Sequence, residues 1–234
     1  MANITTVRAY SESVSFVTRD LGLIGYRDGY AAQLEAHASV VAGGAPELLL
    51  LEHHRVITHG RKDGETTNLK ASLEELVFLG VEVVATERGG TATYHGPGQL
   101  IAYPIFPVGR RVRDFLRRLE NVQIRLLETY HLVARPNPGY AGVYVGDDKI
   151  GSIGVAIRQN VALHGLALNV NTRLEDFELI TPCGLTDTRM TSMQKLLGRE
   201  IPLLEVKTRL EAAFRAEFDG YKWLEERRGE EVAY

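Results

Sequence analysis

Apolar residues recur at helical spacing in three long stretches of the chain. Tyr30, Leu34 and Ala38 mark an amphipathic helix over Arg27–Val41, which Gly43-Gly44-Ala45-Pro46 brings to an end. Val112, Phe115, Leu119, Val122, Leu126 and Tyr130 form the longest such pattern. A third helix is expected over Leu203–Phe218, directly after Pro202. Shorter helical patterns cover Ser72–Leu79, with Ser72 placed to cap the first turn, and Leu174–Leu179.

Between these stretches the pattern changes to that of strands. Leu48-Leu49-Leu50-Leu51, within Glu47–Glu52, is an unbroken apolar run, as expected of a strand buried on both faces. Val81–Ala85 is rich in β-branched residues. Val143-Tyr144-Val145, a Gly146-Asp147-Asp148 turn and a return over Lys149–Ile153 read as a hairpin. Ala162–Val170 is a further strand, and Leu21–Tyr26 a short strand or turn. Helices and strands alternate along the chain, so the expected fold class is α/β (or α+β), with a mixed sheet. Residues 1–234 are read as a single catalytic-sized domain.

Composition narrows the function classes. The 234 residues are 44% hydrophobic and 24% charged, with net charge −3, which suits a chain able to bury a core. No basic stripe is present, so nucleic acid is not an expected partner. No run approaches the ~20 apolar residues that span a bilayer, so no membrane is expected either. The first residues lack a basic segment followed by an apolar one, so the expected location is cytoplasmic. One local excess of charge, Arg110, Arg111, Arg113, Arg117 and Arg118, falls on the longest helix. It is either a solvated face or a docking surface for an acidic partner.

Four segments carry residues suited to chemistry. Cys183 is the only cysteine, which excludes an internal disulfide. It is either a buried filler or a reactive thiol kept reduced in the cytosol. The flanking Pro182 and Gly184 interrupt regular structure, and Gly184 offers an unobstructed backbone N–H. Lys149, one of only six lysines, leads a strand of small and apolar residues, Ile150-Gly151-Ser152-Ile153-Gly154. It reads either as a solvated turn residue or, held near apolar surface, as a proton shuttle. Residues 88–99, Arg-Gly-Gly-Thr-Ala-Thr-Tyr-His-Gly-Pro-Gly-Gln, hold too many glycines for a regular element and suit a loop that approaches a ligand. That loop is neither a phosphate-binding loop nor a dinucleotide fingerprint. His164 opens His-Gly-Leu-Ala-Leu-Asn-Val and is most simply a satisfied core histidine. The seven histidines show no metal-ligand spacing, and no Gly-x-Ser-x-Gly elbow occurs, so neither a metal site nor a serine hydrolase is indicated.

In this order and spacing, the segments at 88–99, 149–154, 164–170 and 182–185 resemble those of the lipoyl(octanoyl) transferase family. Glu52-His53 and Gly60-Arg61 are similar to an early segment of that family, with His54 where proline is often found. The resemblance covers about residues 18–216 and leaves 1–17 and 220–234 peripheral. It implies the fold of the catalytic domain of biotin and lipoate protein ligases, a mixed sheet flanked by helices. It also implies transfer of an octanoyl (or lipoyl) group from acyl carrier protein to a lysine of lipoyl domains, in 2-oxoacid dehydrogenases and the glycine cleavage H protein. The implied catalytic pair is Cys183, forming an acyl-thioester, and Lys149. The implied acyl-binding residues are Arg88, Gly89, Gly90, Thr91, Ala92, Thr93, Tyr94 and His95, then Ser152, Ile153 and Gly154, then Gly165, Leu166 and Ala167. The resemblance implies no metal and no cofactor beyond the acyl-carrier donor. The competing readings are an ATP-dependent lipoate or biotin ligase on the same fold and an acyl-binding module with Cys183 as filler.

Overall fold

The computed structural model describes residues 16–61, 68–137, 140–181 and 189–221. Cys183 and Gly184, and most of the two peripheral ends, lie outside the described residues. Among the described residues, ten strands and five α-helices follow one another as β1 (Val17–Ile24), α1 (Tyr26–Val41), β2 (Glu47–His53), β3 (Val56–His59), α2 (Leu73–Phe78), β4 (Glu82–Ala85), β5 (Thr93–His95), β6 (Gln99–Ile105), α3 (Val112–Glu128), β7 (Ala134–Asn137), β8 (Tyr140–Val145), β9 (Asp148–Arg158), β10 (Val161–Asn169), α4 (Met193–Leu197) and α5 (Leu203–Phe218). A 3-10 helix, Leu174–Leu179, precedes α4.

Seven strands form one sheet in the order β1-β2-β6-β10-β9-β8-β7, and three form a second in the order β4-β3-β5. The large sheet is mixed: β1 runs parallel to β2, while β2–β6, β6–β10, β10–β9, β9–β8 and β8–β7 are antiparallel. The alternation of a strand divides the four leucines of β2. Leu48 and Leu50 join the core beneath α3 and α5, while Leu49 and Leu51 join the core beneath α1. β6 does the same with Leu100 and Ala102 on one face and Ile101, Tyr103 and Ile105 on the other. A third core joins the small sheet, α2 and the 3-10 helix through Ile57, Leu76, Tyr94, Phe177 and Ile180.

Helix α3 buries the predicted stripe, Phe115, Leu119, Val122 and Leu126, with Gln123 and Leu127 beside it. Helix α2 begins in a capping box: Ser72 Oγ accepts from the Glu75 N–H (3.2 Å) and Glu75 Oε2 from the Ser72 N–H (2.8 Å). Helix α1 departs from expectation. Its buried face is Tyr26, Gly29, Gln33, Ala36, His37 and Val40, and Ala38 is exposed. Polar chemistry selects this face. Gln33 Oε1 accepts the backbone N–H of His164 at 2.7 Å, and His37 Nε2 lies 2.9 Å from the Arg158 carbonyl. The core also reaches further toward the ends than the resemblance does. Phe16 is buried against Phe106 and Phe214, and Tyr221 packs on Phe218 and under Arg118.

Central strand β6 contains a proline, tolerated because its ladder with β10 stops at Ala102↔Leu166, before Pro104 is reached. Gly165 makes room there: a Cβ on it would collide with the Ala102 carbonyl oxygen and sit 2.6 Å from Pro104 Cδ. Both obstacles are backbone or ring atoms that cannot swing aside. Gly165→Ala is therefore expected to destabilise the fold by about 1–3 kcal/mol. A urea titration checks this as a lower midpoint at unchanged slope, and an unshifted midpoint contradicts the packing described.

Candidate active site

A cavity of about 480 Å³ opens between the two sheets, within the size range of small-molecule sites. The small sheet and its loops contribute Thr58, Arg88, Gly89, Gly90, Thr91, Ala92, Thr93 and His95. The large sheet contributes Tyr103, Ala141, Lys149, Ser152, Ile153, Gly154, Val155, His164, Gly165, Leu166 and Ala167. Tyr26 at the start of α1 and Val112 and Leu116 at the start of α3 complete the lining. Among the described residues no group of histidines, aspartates or glutamates is placed to hold a metal ion, and no helix is long and apolar enough to cross a membrane.

The fold thus brings together every described acyl-binding residue named from sequence except Tyr94. That residue does not line the cavity. It occupies the middle of β5, so its side chain points away from those of Thr93 and His95. Its ring is buried edge-on to Phe177, and its hydroxyl donates to Asp176 Oδ2 at 2.6 Å. Arg55 Nη2 donates to the other oxygen, Asp176 Oδ1, at 2.8 Å. Tyr94 therefore fixes the 3-10 helix that leads into Ile180 and Thr181.

Lys149 is only 2% exposed, which removes the solvated-turn reading. Its side chain lies over Gly142 and beside Tyr144, with Nζ 5.9 Å from the Tyr144 ring centroid. Gly142 adopts φ 145°, and a Cβ there would come 2.5 Å from the Gly151 carbonyl oxygen and 2.8 Å from Lys149 Cε, so the position requires glycine. The backbone of Lys149 is held from outside the hairpin: its N–H donates to the Arg189 carbonyl (2.8 Å), and its carbonyl accepts from the Thr191 N–H (2.9 Å). Upstream, Thr181 donates its N–H to the Asn68 carbonyl at 2.8 Å. Both residues that bound 182–188 are thus anchored, and the downstream one is anchored on Lys149.

Arg88 is buried and ties the glycine-rich loop to β3. Its Nη2 donates to the Thr58 carbonyl (2.6 Å) and hydroxyl (2.8 Å). Gly89 donates its N–H to the Val155 carbonyl (3.0 Å), fastening the same loop to β9. Glu52 Oε2 accepts from the Gly98 N–H at 2.8 Å, so the early Glu-His segment supports the far end of the loop.

Imidazoles and phenols make up much of the polar wall. His53 Nδ1 faces the Ile24 carbonyl at 3.3 Å, which can only accept, so Nε2 accepts the Tyr103 hydroxyl proton at 2.8 Å. Burial pushes the His53 imidazole down to about 4 and that of His95 down to about 3. Burial likewise raises the Tyr26 and Tyr103 phenols. His164 adopts φ 59°, strained for a non-glycine residue in a strand. Its ring stacks on Tyr30 with centroids 5.8 Å apart, and its Nε2 lies 3.5 Å from Glu87 Oε1. The His164 ring, with a 2.7 Å hydrogen bond from Tyr30, holds the Glu87 carboxyl down at about 2 against the opposing effect of burial.

Sequence reasoning left out several wall residues, namely Tyr26, Thr58, Tyr103, Val112, Leu116, Ala141 and Val155. The Arg110–Arg118 cluster divides. Arg113 and Arg117 are exposed beside the cavity-lining Val112 and Leu116. Arg118 turns inward, donating to the Glu217 carbonyl at 2.7 Å and covering the Tyr221 ring.

Residues 26–215 match the family model described as the lipoyl protein ligase A/B catalytic domain. The octanoyltransferase of Deinococcus radiodurans is 53% identical over 232 residues, 93% of this chain and 69% of its own. The octanoyltransferase of Rubrobacter xylanophilus is 46% identical over 204 residues, 85% of this chain and 91% of its own. Among solved structures, lipoate-protein ligase A bound with ATP superposes with a TM-score of 0.73 at 20% identity, covering 87% of this chain and 85% of that one. A putative lipoate protein ligase from T. acidophilum with bound lipoic acid gives 0.68 at 18% identity, covering 87% and 86%. At such identities the structural likeness shows a shared fold.

Proposed function

The chain belongs to the lipoyl protein ligase A/B catalytic-domain family, and from that premise we propose that it is an octanoyltransferase of protein lipoylation. The donor is an octanoyl thioester on the pantetheine arm of acyl carrier protein, and the acceptor is a lysine ε-amine of a lipoyl domain. The observation that carries this reading is a single cavity that gathers the glycine-rich loop, the Ser152–Gly154 and Gly165–Ala167 walls and the buried Lys149. At ~0.8 kcal/mol per methylene, the apolar carbons of an octanoyl chain offer about 5 kcal/mol of binding to such a site.

The chemistry is two acyl transfers through Cys183. The Cys183 thiolate attacks the thioester carbonyl, the new S–C bond forms, and the carrier thiolate leaves and takes up a proton. The acceptor amine then attacks the Cys183 thioester, loses a proton and expels the cysteine thiolate, leaving an amide. Exchange of one thioester for another is nearly neutral, and amide formation is downhill, so no nucleotide is consumed. Lys149 serves as the proton carrier, taking the thiol proton in the first step and the amine proton in the second. Bringing a thiol from about 8.5 to about 7 takes about 2 kcal/mol of differential stabilisation, which one adjacent ammonium can provide. The anchoring of Arg189 and Thr191 on Lys149 supports this pairing. Exposed Arg113 and Arg117, next in sequence to the cavity-lining Val112 and Leu116, suit an acidic carrier.

The test is ATP dependence. The enzyme is expected to octanoylate a lipoyl domain from octanoyl carrier protein in the absence of nucleotide, and to leave the domain unmodified when given free octanoate and ATP. The reverse pattern makes it a ligase.

A further inference from the structure

A chain of buried hydrogen bonds runs from beside Lys149 to the cavity wall, and it fixes more than position. Asn169 and Gln99 are cross-strand neighbours in the β10–β6 ladder, both 2% exposed. Asn169 Nδ2 lies 3.0 Å from the Thr191 carbonyl, the same Thr191 whose N–H bonds Lys149. A carbonyl can only accept, so the atom facing it must be the amide nitrogen, and Asn169 Oδ1 must face Gln99. Gln99 Nε2 accordingly donates to Asn169 Oδ1 (2.9 Å) and to the Tyr94 carbonyl (3.2 Å). That leaves Gln99 Oε1 as the atom 2.7 Å from His95 Nδ1. An amide oxygen can only accept, so Nδ1 carries the proton. Two backbone carbonyls, of Thr191 and Tyr94, thus dictate every donor and acceptor along the chain.

We propose that His95 is a tautomer-locked neutral imidazole that offers its Nε2 lone pair to the cavity, as the acceptor for an N–H donor of the bound substrate. His95 lines the cavity, and among the described residues no hydrogen bond reaches its Nε2. Its neighbours oppose protonation. The ring is buried, His53 sits edge-on at 6.0 Å, and Arg88 and His164 line the same cavity. The contrast with His53 is chemical: the Nε2 of His53 has the same lone pair but spends it on Tyr103 within the wall.

The identity of the donor rests on the transferase reading. An octanoyl chain has no hydrogen to donate, whereas the two partners of the exchange bring N–H groups: the amides of the carrier arm and the acceptor amine. An acceptor with no proton of its own can hold either without competing for it.

Nitrogen NMR on the full-length ¹⁵N-labelled protein reads the tautomer directly. His95 is expected to show a protonated, pyrrole-type Nδ1 and an unprotonated, pyridine-type Nε2, unchanged between about pH 5 and about pH 8. A pyrrole-type Nε2, or a ring that titrates in that range, overturns the assignment. The role is read with His95→Asn, whose side-chain NH₂ keeps a donor for Gln99 Oε1 and removes the Nε2 acceptor. Loading of octanoyl from the carrier and its discharge to a lipoyl domain are timed separately. A slowing of about tenfold to a hundredfold in loading assigns the donor to the carrier arm, and the same slowing in discharge assigns it to the acceptor amine. Neither step slowed overturns the role. A protein that transfers no acyl group at all refutes the transferase reading instead, and the tautomer is then judged on the nitrogen shifts alone.

Discussion

Replacing Cys183 by alanine or serine is expected to lower kcat/KM for octanoyl transfer by on the order of 10⁴-fold or more, with the fold intact. The reason is the division of one hard step into two. Without the thiolate, an amine must attack the carrier thioester directly, with neither a covalent intermediate nor a held acyl group. Serine does not substitute, because its hydroxyl is a far weaker acid and far less of it ionises near neutral pH. The chain has no second cysteine to take over. Initial rates with octanoyl carrier protein and a lipoyl domain measure the effect. A serine variant within tenfold of the parent returns Cys183 to the role of filler.

Lys149→Ala is expected to cost on the order of 10²- to 10⁴-fold in kcat, the range of a positioned acid–base group. Lys149→Arg should recover little of this. A guanidinium keeps the positive charge, but it does not give up its proton and cannot accept one from the thiol or the amine. Thermal unfolding of both variants separates lost chemistry from lost packing. Full activity in Lys149→Arg reduces the lysine to an electrostatic partner, and full activity in Lys149→Ala removes it from the mechanism.

Long amphipathic segments were legible in the sequence because one face of each meets a large core. Val112–Glu128 and Leu203–Phe218 repeat their apolar residues often enough to outvote exceptions. The four leucines of β2 announced a strand covered on both sides for the same reason. Strand β6 was hidden by Pro104 and by its start inside a glycine-rich loop, although it lies between β2 and β10 in the sheet. Of the small sheet only β4 was legible, through the β-branched residues of Val81–Ala85, whereas β3 and β5, with four and three residues, are too short for a period to register. Helix α1 was placed correctly, with Tyr30 and Leu34 packed inward as expected, but Ala38 is exposed and Gln33 and His37 are buried for their hydrogen bonds.

The site divides in the same way. Motif residues with small side chains converge on one cavity because only they allow strands and loop to close on it. Tyr94 stands apart for want of the strand assignment: once Thr93–His95 is β5, alternation sends its ring to the other side. The burial of Lys149 had no local signature, since it depends on residues 189–191 arriving from forty positions away. Nor did the sequence reveal that Gln99 and Asn169, from two separate motifs, join hands beneath His95. Such long-range pairings are properties of the assembled sheet.

The central claim is a covalent octanoyl–Cys183 intermediate, and intact-protein mass spectrometry tests it most directly. Incubation of the enzyme with octanoyl carrier protein, without acceptor, should add one octanoyl group. The adduct should be released by hydroxylamine, discharged by a lipoyl domain and absent from Cys183→Ser. Transfer that proceeds with no acyl-enzyme mass at any time, or an adduct that persists in Cys183→Ser, would contradict it.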